Sequence, residues 1–166
     1  MLTQEQLKRL LHYDSDTGIW TYIKAPPRKP WMEGSRAGCF KQSTGYWYIK
    51  IDGYDFQSSH LAFLYMTGSW SKEEIDHINR NRVDDRWVNL RKATSSQNRV
   101  NRVSPGNSTG FKGVAFDARY KNPYIAKVTV HGHCKNLGSY STPEEAHAVW
   151  YKAACEAFGE EFVEVK

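Results

Sequence analysis

The chain has 166 residues, room for one ordinary domain or two small ones, and its 40% apolar and 14% aromatic content excludes disorder by composition. No stretch of about 18 apolar residues occurs, which excludes a transmembrane helix, and the polar start MLTQEQLKRLLHY lacks the apolar centre of a secretory signal. Cys39, Cys134 and Cys155 are odd in number, widely spaced and without a C-x-x-C pair, so neither a disulfide framework nor structural zinc is expected in what reads as a soluble intracellular protein.

In chain order, Thr3 is a candidate N-cap for a helix in which Leu7, Leu10 and Leu11 recur at helical spacing, and the turn residues DSDTG predict its end near Asp14. A strand IWTYI follows, then an exposed loop, APPRKPWMEGSRAG, with three prolines and two glycines. YWYIKI and YDFQSSH, joined at Asp52-Gly53, read as a hairpin. Leu61 to Met66 make an apolar helical turn that stops at Gly68, Asp76 and His77 end a further strand, and a helix runs from its N-cap Thr94 to Arg102. SPGNSTG, residues 104–110, has the composition of a linker. Beyond it FKGVAF, YIAKVTV and CKNLGSY are strand candidates. Thr142 then caps a last helix, with Pro143 first, Glu144 and Glu145 in the opening turn, Ala146, Val149, Ala153 and Ala154 on one face, and Gly159 at the end. Three strands backed by one helix is about the smallest unit that buries a single face.

The net charge of +5 is unevenly spread. Residues 80–102 carry seven Lys/Arg against Asp84 and Asp85, whereas the last 24 residues carry six Glu against two Lys. A basic centre before an acidic tail suits a surface that binds a polyanion. Beside that centre stands Asp76-His77. Phosphodiester cleavage needs an activated water, charge neutralisation on the phosphate and support for the leaving oxygen; one divalent cation with one neutral imidazole can supply all three. Mg²⁺ takes a few oxygen ligands and keeps several waters, so an Asp carboxylate and an Asn amide oxygen make a credible pair for it. Adjacent strand residues point to opposite sides, so the backbone has to turn at Asp76-His77, and INRNRVDDRW is polar enough to be that loop. Asn98, on the next helix, is a candidate second ligand.

The segment DHINRNRVDDRWVNLRKATSSQN resembles the HNH motif of phage homing-type endonucleases, which fold it as a ββα-metal unit. The resemblance implies that Asp76 and Asn98 are metal ligands for Mg²⁺ or Mn²⁺, that His77 is the general base, and that Asn89 pins the loop between the strands. Arg80, Arg82, Arg86 and Arg91 would lie near the DNA backbone. LLHYDSDTGIWTY, GYWYIKIDG and LAFLYMTG extend the likeness almost to residue 1. One departure stands at Ser59-His60, where these proteins usually read His-Arg; His60 is read as a half-buried strand residue.

Residues 107–160 resemble the ethylene-response-factor type of DNA-binding domain through FKGV, YIAKV, LGSYSTPEEAHAVWYKAA and the closing FG. The resemblance implies a sheet laid in the major groove, with Tyr124, Ala126 and Val128 facing the helix and Lys127 and Thr129 facing DNA. Lys112, Arg119 and Asn136 are further contact candidates. Ala115, Asp117 and Thr129 stand where the plant domains carry arginines and tryptophans, so phosphate positioning is expected more than base reading.

The expected fold class is therefore α+β. An N-terminal region with β-hairpins leads into a ββα-metal HNH unit, and a small three-stranded antiparallel sheet packed on one helix follows. The expected domains are a nuclease domain over 1–103 with its core at about 58–102, a linker at 104–110, and a DNA-binding domain over 111–166. The expected function is metal-dependent cleavage of double-stranded DNA by a monomer or weak dimer, without membrane or small-molecule cofactor, in the cytoplasm of a phage-infected bacterial cell. The alternatives are a non-catalytic DNA-binding regulator that keeps the HNH scaffold, and a module that binds protein or RNA.

Overall fold

The computed structural model describes residues 1–101 and 108–163, and these form two compact units, Met1–Ala93 and Thr94–Lys166. The structural divide thus precedes the helix that follows Thr94; of the linker expected at 104–110, residues 104–107 lie outside the described residues, as does Arg102. The class is α+β, with small antiparallel sheets and four α-helices among the described residues.

In the first unit α1 (Gln4–Leu10) opens with a capping box: Thr3 Oγ1 accepts from Gln6 N at 3.2 Å, and Gln6 Oε1 accepts from Thr3 N at 3.0 Å. The helix does not reach Asp14. Leu11–Tyr13 is instead a strand, β1, paired with β2 (Trp20–Tyr22). Leu11 and Tyr13 are buried and His12 is exposed, a period of two that only a strand can give, and it brings Tyr13 to 4.7 Å from Trp20, ring to ring. The proline-rich loop leads to β3 (Cys39–Lys41), which pairs with β4 (Tyr46–Ile51), and β4 with β5 (Tyr54–Gln57). Asp52 and Gly53 both have positive φ, 49° and 86°, as the two-residue turn of a hairpin requires.

Ser58, Ser59 and His60 do not continue that strand. They form the first turn of α2 (Ser58–Thr67), whose Ser58, Ser59, Leu61, Ala62, Phe63 and Leu64 are all buried. A helix covered on most sides needs small residues where it meets its neighbours, and the two serines supply them. Behind it β6 (Glu74–His77) and β7 (Leu90–Ala93) pair antiparallel, with Asp76 opposite Arg91 and His77 opposite Leu90. The core of this unit is Leu7, Leu11, Tyr13, Trp20, Ile49, Leu61, Leu64, Ile75 and their neighbours.

The second unit begins with α3 (Ser95–Asn101). Gln97 N donates to Thr94 Oγ1 and Thr94 N to Gln97 Oε1, so Thr94, the expected N-cap, closes a reciprocal cap with Gln97. The strands β8 (Val114–Phe116), β9 (Tyr124–Val130) and β10 (His133–Tyr140) form one antiparallel sheet in the order β10-β9-β8. It packs on α4 (Pro143–Phe158), capped by Thr142 Oγ1, which accepts from Glu145 N at 3.3 Å. The buried face of α4 is Ala146, His147, Trp150, Ala154 and Phe158, with Val149 and Ala153 at its half-buried edge. Gly113 (φ 74°) lets β8 approach this helix, because a Cβ there would sit 2.0 Å from the Trp150 indole.

Candidate active site

Asp76 and His77 are the last two residues of β6, so strand alternation sends their side chains to opposite sides. Each meets a charged partner. Arg91, directly across on β7, donates from Nε at 2.9 Å and Nη2 at 2.8 Å to Asp76 Oδ2. His77 Nε2 lies 2.9 Å from Asp85 Oδ1, and the two side chains are only 3% and 4% exposed. The Tyr46 ring, from β4, stands 5.9 Å from the His77 ring.

The chain between β6 and β7 is tied by one amide. Asn89 Oδ1 accepts from Asn79 N at 2.9 Å, while its Nδ2 donates to Asn79 Oδ1 at 3.0 Å and to Asp84 O at 2.7 Å. Its carbonyl accepts from Ile78 N at 2.9 Å. Asp84 accepts from Asn79 Nδ2 and, bidentately, from Arg86; the Arg86 guanidinium is the main reason its carboxyl is lowered to about 2. The next residue, Asp85, is gripped by the N-terminal hairpin. Tyr13 OH donates to Asp85 O at 2.5 Å, Trp87 N donates to Ser15 O at 2.9 Å, and Gly18 lies against the Asp85–Arg86 peptide. Burial, and then the Asp85 charge, push the Tyr13 phenol well above its usual range, so it remains a donor.

His60, on α2, is mostly buried with Nδ1 unpartnered; burial first, and then the charge of His77, hold it below the usual imidazole range. Of the arginines expected near DNA, Arg82 donates to Thr44 O and covers the Tyr46 ring, Arg86 holds Asp84, and Arg91 holds Asp76. Arg86 keeps about half its surface, at 48% exposed. Arg80 sits at a left-handed φ of 62°.

Asp76, His77 and Asn89 are therefore brought together in the first unit, while Asn98, half-buried on α3, belongs to the second. Also in the second unit, Lys127, Thr129 and Asn136 share the face of the sheet away from α4, because Lys127 pairs with Asn136 and alternates with buried Ala126 and Val128. Asn136 Oδ1 accepts from Gly138 N at the bulge in β10. Arg119 is 85% exposed and grips Asp117. Lys112 is engaged otherwise, its ammonium donating to the Val100 carbonyl near the end of α3. Sequence reasoning missed Asp85, Tyr46 and Tyr13. In the sequence Asp85 shows only as a second acid in a basic stretch.

Residues 58–100, which span α2 through most of α3, match the family model described as HNH endonuclease. Over 86 residues the chain is 31% identical to an uncharacterized HNH endonuclease of Acanthamoeba polyphaga mimivirus, a match that covers 52% of this chain and 43% of that protein. The chain thus spans less than half the length of this curated relative. A solved structure titled for DNA binding and cleavage by the HNH homing endonuclease I-HmuI is similar at 21% identity and a TM-score of 0.43, covering 89% of this chain and 76% of that one.

A divalent cation suits the donors present only as a sparsely ligated ion. Among the described residues no three His, Cys, Asp or Glu side chains form a cage, and in the first unit Asp76 offers a hard carboxylate oxygen that suits Mg²⁺ or Mn²⁺ with water completing the shell.

Proposed function

We propose that the chain is a metal-dependent DNA endonuclease of the HNH homing type. One observation carries the reading: inside the HNH-matching segment, a strand ends in Asp76-His77 with the imidazole held by a buried carboxylate and the following loop fastened by Asn89. His77 takes the proton from the attacking water. Asp76 and Asn98 hold the cation, which would neutralise charge on the phosphate and the leaving oxygen. Asn89 keeps the loop, and with it Asp84 and Asp85, in register with β6. Arg86, still half-exposed, is available to a phosphate.

The second unit, on this reading, is a targeting module of the ethylene-response-factor type. Its support is the likeness of residues 107–160 together with a three-stranded sheet whose outer face carries Lys127, Thr129 and Asn136. Those residues suit phosphate positioning, so binding should weaken steeply with salt. One candidate catalytic set among the described residues favours nicking by a monomer, whereas a dimer or sequential cuts would break both strands. A non-catalytic DNA-binding role has one observation in its favour, the capture of Asp76 Oδ2 by Arg91.

The test is conversion of supercoiled plasmid and phage-derived DNA to nicked or linear form with Mg²⁺, Mn²⁺ or EDTA. Cation-dependent cleavage that His77→Ala lowers by about 100-fold or more, at unchanged DNA affinity, is the expected result. Intact DNA of both kinds with either cation, despite binding, would establish the non-catalytic role instead.

A further inference from the structure

Asp85 has no part in the residue set that the motif supplies, yet its carboxylate meets the imidazole of His77 at 2.9 Å, with both side chains buried. An ionised carboxylate can only accept a hydrogen bond. The proton between them therefore belongs to Nε2, and the lone pair of the neutral ring falls on Nδ1. We infer that Asp85 is the positioning residue of His77: it fixes the ring as the Nε2–H tautomer and so makes Nδ1 the nitrogen that receives the proton from water. The choice of tautomer follows from the hydrogen bond made by the opposite nitrogen, as it does wherever a second group orients a catalytic imidazole. The catalytic half of this inference rests on the nuclease reading; the tautomer does not.

The carboxylate is held in place from both flanks. On one side Asn89 Nδ2 binds Asp84 O, and Asp84 is locked to Arg86 and Asn79. On the other, the β1–β2 hairpin supplies Tyr13 OH to Asp85 O and Ser15 O to Trp87 N. Gly18 then closes on the Asp85–Arg86 peptide so tightly that a Cβ would stand 2.5 Å from Arg86 N and Asp85 C. The anchors on Asp85 itself use its main chain, which leaves Asp85 Oδ1 to His77. A hairpin that bears none of the candidate catalytic residues thereby acts on the base through Asp85, with a single residue as the intermediary.

The experiment is nitrogen-15 NMR of the full chain labelled at histidine, near pH 8, with the His77 signals assigned by their loss in His77→Gln. Beside it runs cleavage and DNA-binding measurement on wild type, Asp85→Ala and Asp85→Asn. The inference expects wild-type His77 as the neutral Nε2–H tautomer, and a mixture of tautomers in Asp85→Ala. It expects kcat to fall by about 100-fold in Asp85→Ala, with DNA affinity within about twofold of wild type. Asp85→Asn, whose amide oxygen can accept from Nε2–H, should keep the tautomer and recover about tenfold of the lost rate. Should Asp85→Ala fail to fold, the Asn variant and the wild-type spectrum still decide. A doubly protonated or Nδ1–H ring in the wild type overturns the inference, as does a tautomer and kcat unmoved by Asp85→Ala, or an activity loss that only tracks lost DNA binding and that Asn does not restore. The nuclease reading fails separately, by absence of wild-type cleavage whichever tautomer is found.

Discussion

Gly18 and Gly53 both occupy the left-handed region, at φ 71° and 86°, but only Gly18 has something above it. Replacing either by Ala imposes the left-handed strain on a residue with a Cβ, about 1–2 kcal/mol. At Gly53, with nothing within 4 Å, that is the whole cost. At Gly18 the new methyl would lie 2.5 Å from Arg86 N and Asp85 C and 2.9 Å from Asp85 O, all main-chain atoms. Ordinary carbon contacts need about 3.5–4.0 Å, so the peptide must retreat by about 1 Å. That displacement breaks the bonds from Tyr13 OH to Asp85 O and from Trp87 N to Ser15 O, at about 1 kcal/mol each. The sum for Gly18→Ala is about 3–4 kcal/mol. Thermal unfolding followed by tryptophan fluorescence should then show a Tm lower by about 5–10 °C for Gly53→Ala and by about 15 °C or more for Gly18→Ala. Equal losses, or a milder loss at Gly18, would mean that the hairpin does not bear on the Asp85–Arg86 peptide and would refute the reasoning.

Two more outcomes follow from the packing and the titrating groups. Gly113→Ala places a Cβ at 2.0–2.3 Å from the Trp150 indole at φ 74°, so the sheet and α4 of the second unit must part; a loss of about 3 kcal/mol or more is expected, read as rapid limited proteolysis within 111–163 of the full chain while 1–93 persists. For pH, Asp84 is lowered to about 2 in the folded chain, chiefly by Arg86, so its contribution is complete above an ordinary carboxyl value of about 4 and is lost as pH falls towards 2. His60, held low by burial, makes the unfolded chain the better proton acceptor once pH drops below about 6.5. Urea unfolding should therefore show a shallow loss of stability between about pH 6.5 and 5 that His60→Gln removes, and a second, more acid loss that Asp84→Asn reduces.

The parts of the fold that sequence made legible are those decided locally. Thr142, Pro143 and Gly159 bound α4 because cap, first-turn proline and terminal glycine act within a few residues of each other. The Asp52-Gly53 turn is legible for the same reason. Where a partner far along the chain decides, local pattern fails. Leu7, Leu10 and Leu11 continue a helical period, yet β1 forms at Leu11 because Trp20 and Tyr22 pair with Tyr13 and Leu11 and the aromatic core lies there. The three-residue β3 is hardly patterned at all, with Cys39 and Phe40 exposed. Arg82, Arg86 and Arg91 read in the sequence as cations for a DNA backbone, but each holds an acceptor that only the fold brings near. Asp85 is the sharpest case. Nothing local separates it from Asp84, and the difference is that a hairpin some 70 residues earlier turns one carboxylate inward.

The two adjacent residues of β6 also have adjacent electrostatic needs, met from opposite sides of one strand. Asp76 is an anion whose burial is tolerable because Arg91 lies across the ladder from it. His77 is buried to the same degree, and an imidazole that accepts a proton there without a counter-charge would be an isolated buried cation, which is costly. Asp85 changes that account. With a carboxylate already against Nε2, a proton arriving at Nδ1 completes a second ion pair in place of creating an unpaired charge, and no side chain has to move to make it so. On the proposed nuclease reading, the compensating charges are in place before any reaction begins: Arg91 beside the Asp76 carboxylate, and Asp85 beside a base that would become charged. The loop that delivers Asp85 is tied at several points, whereas a carboxylate free to swing away would leave the imidazole to choose its own tautomer. This is why an amide with three bonds, a phenol and an alanine-intolerant glycine are all spent on a dozen residues between two short strands.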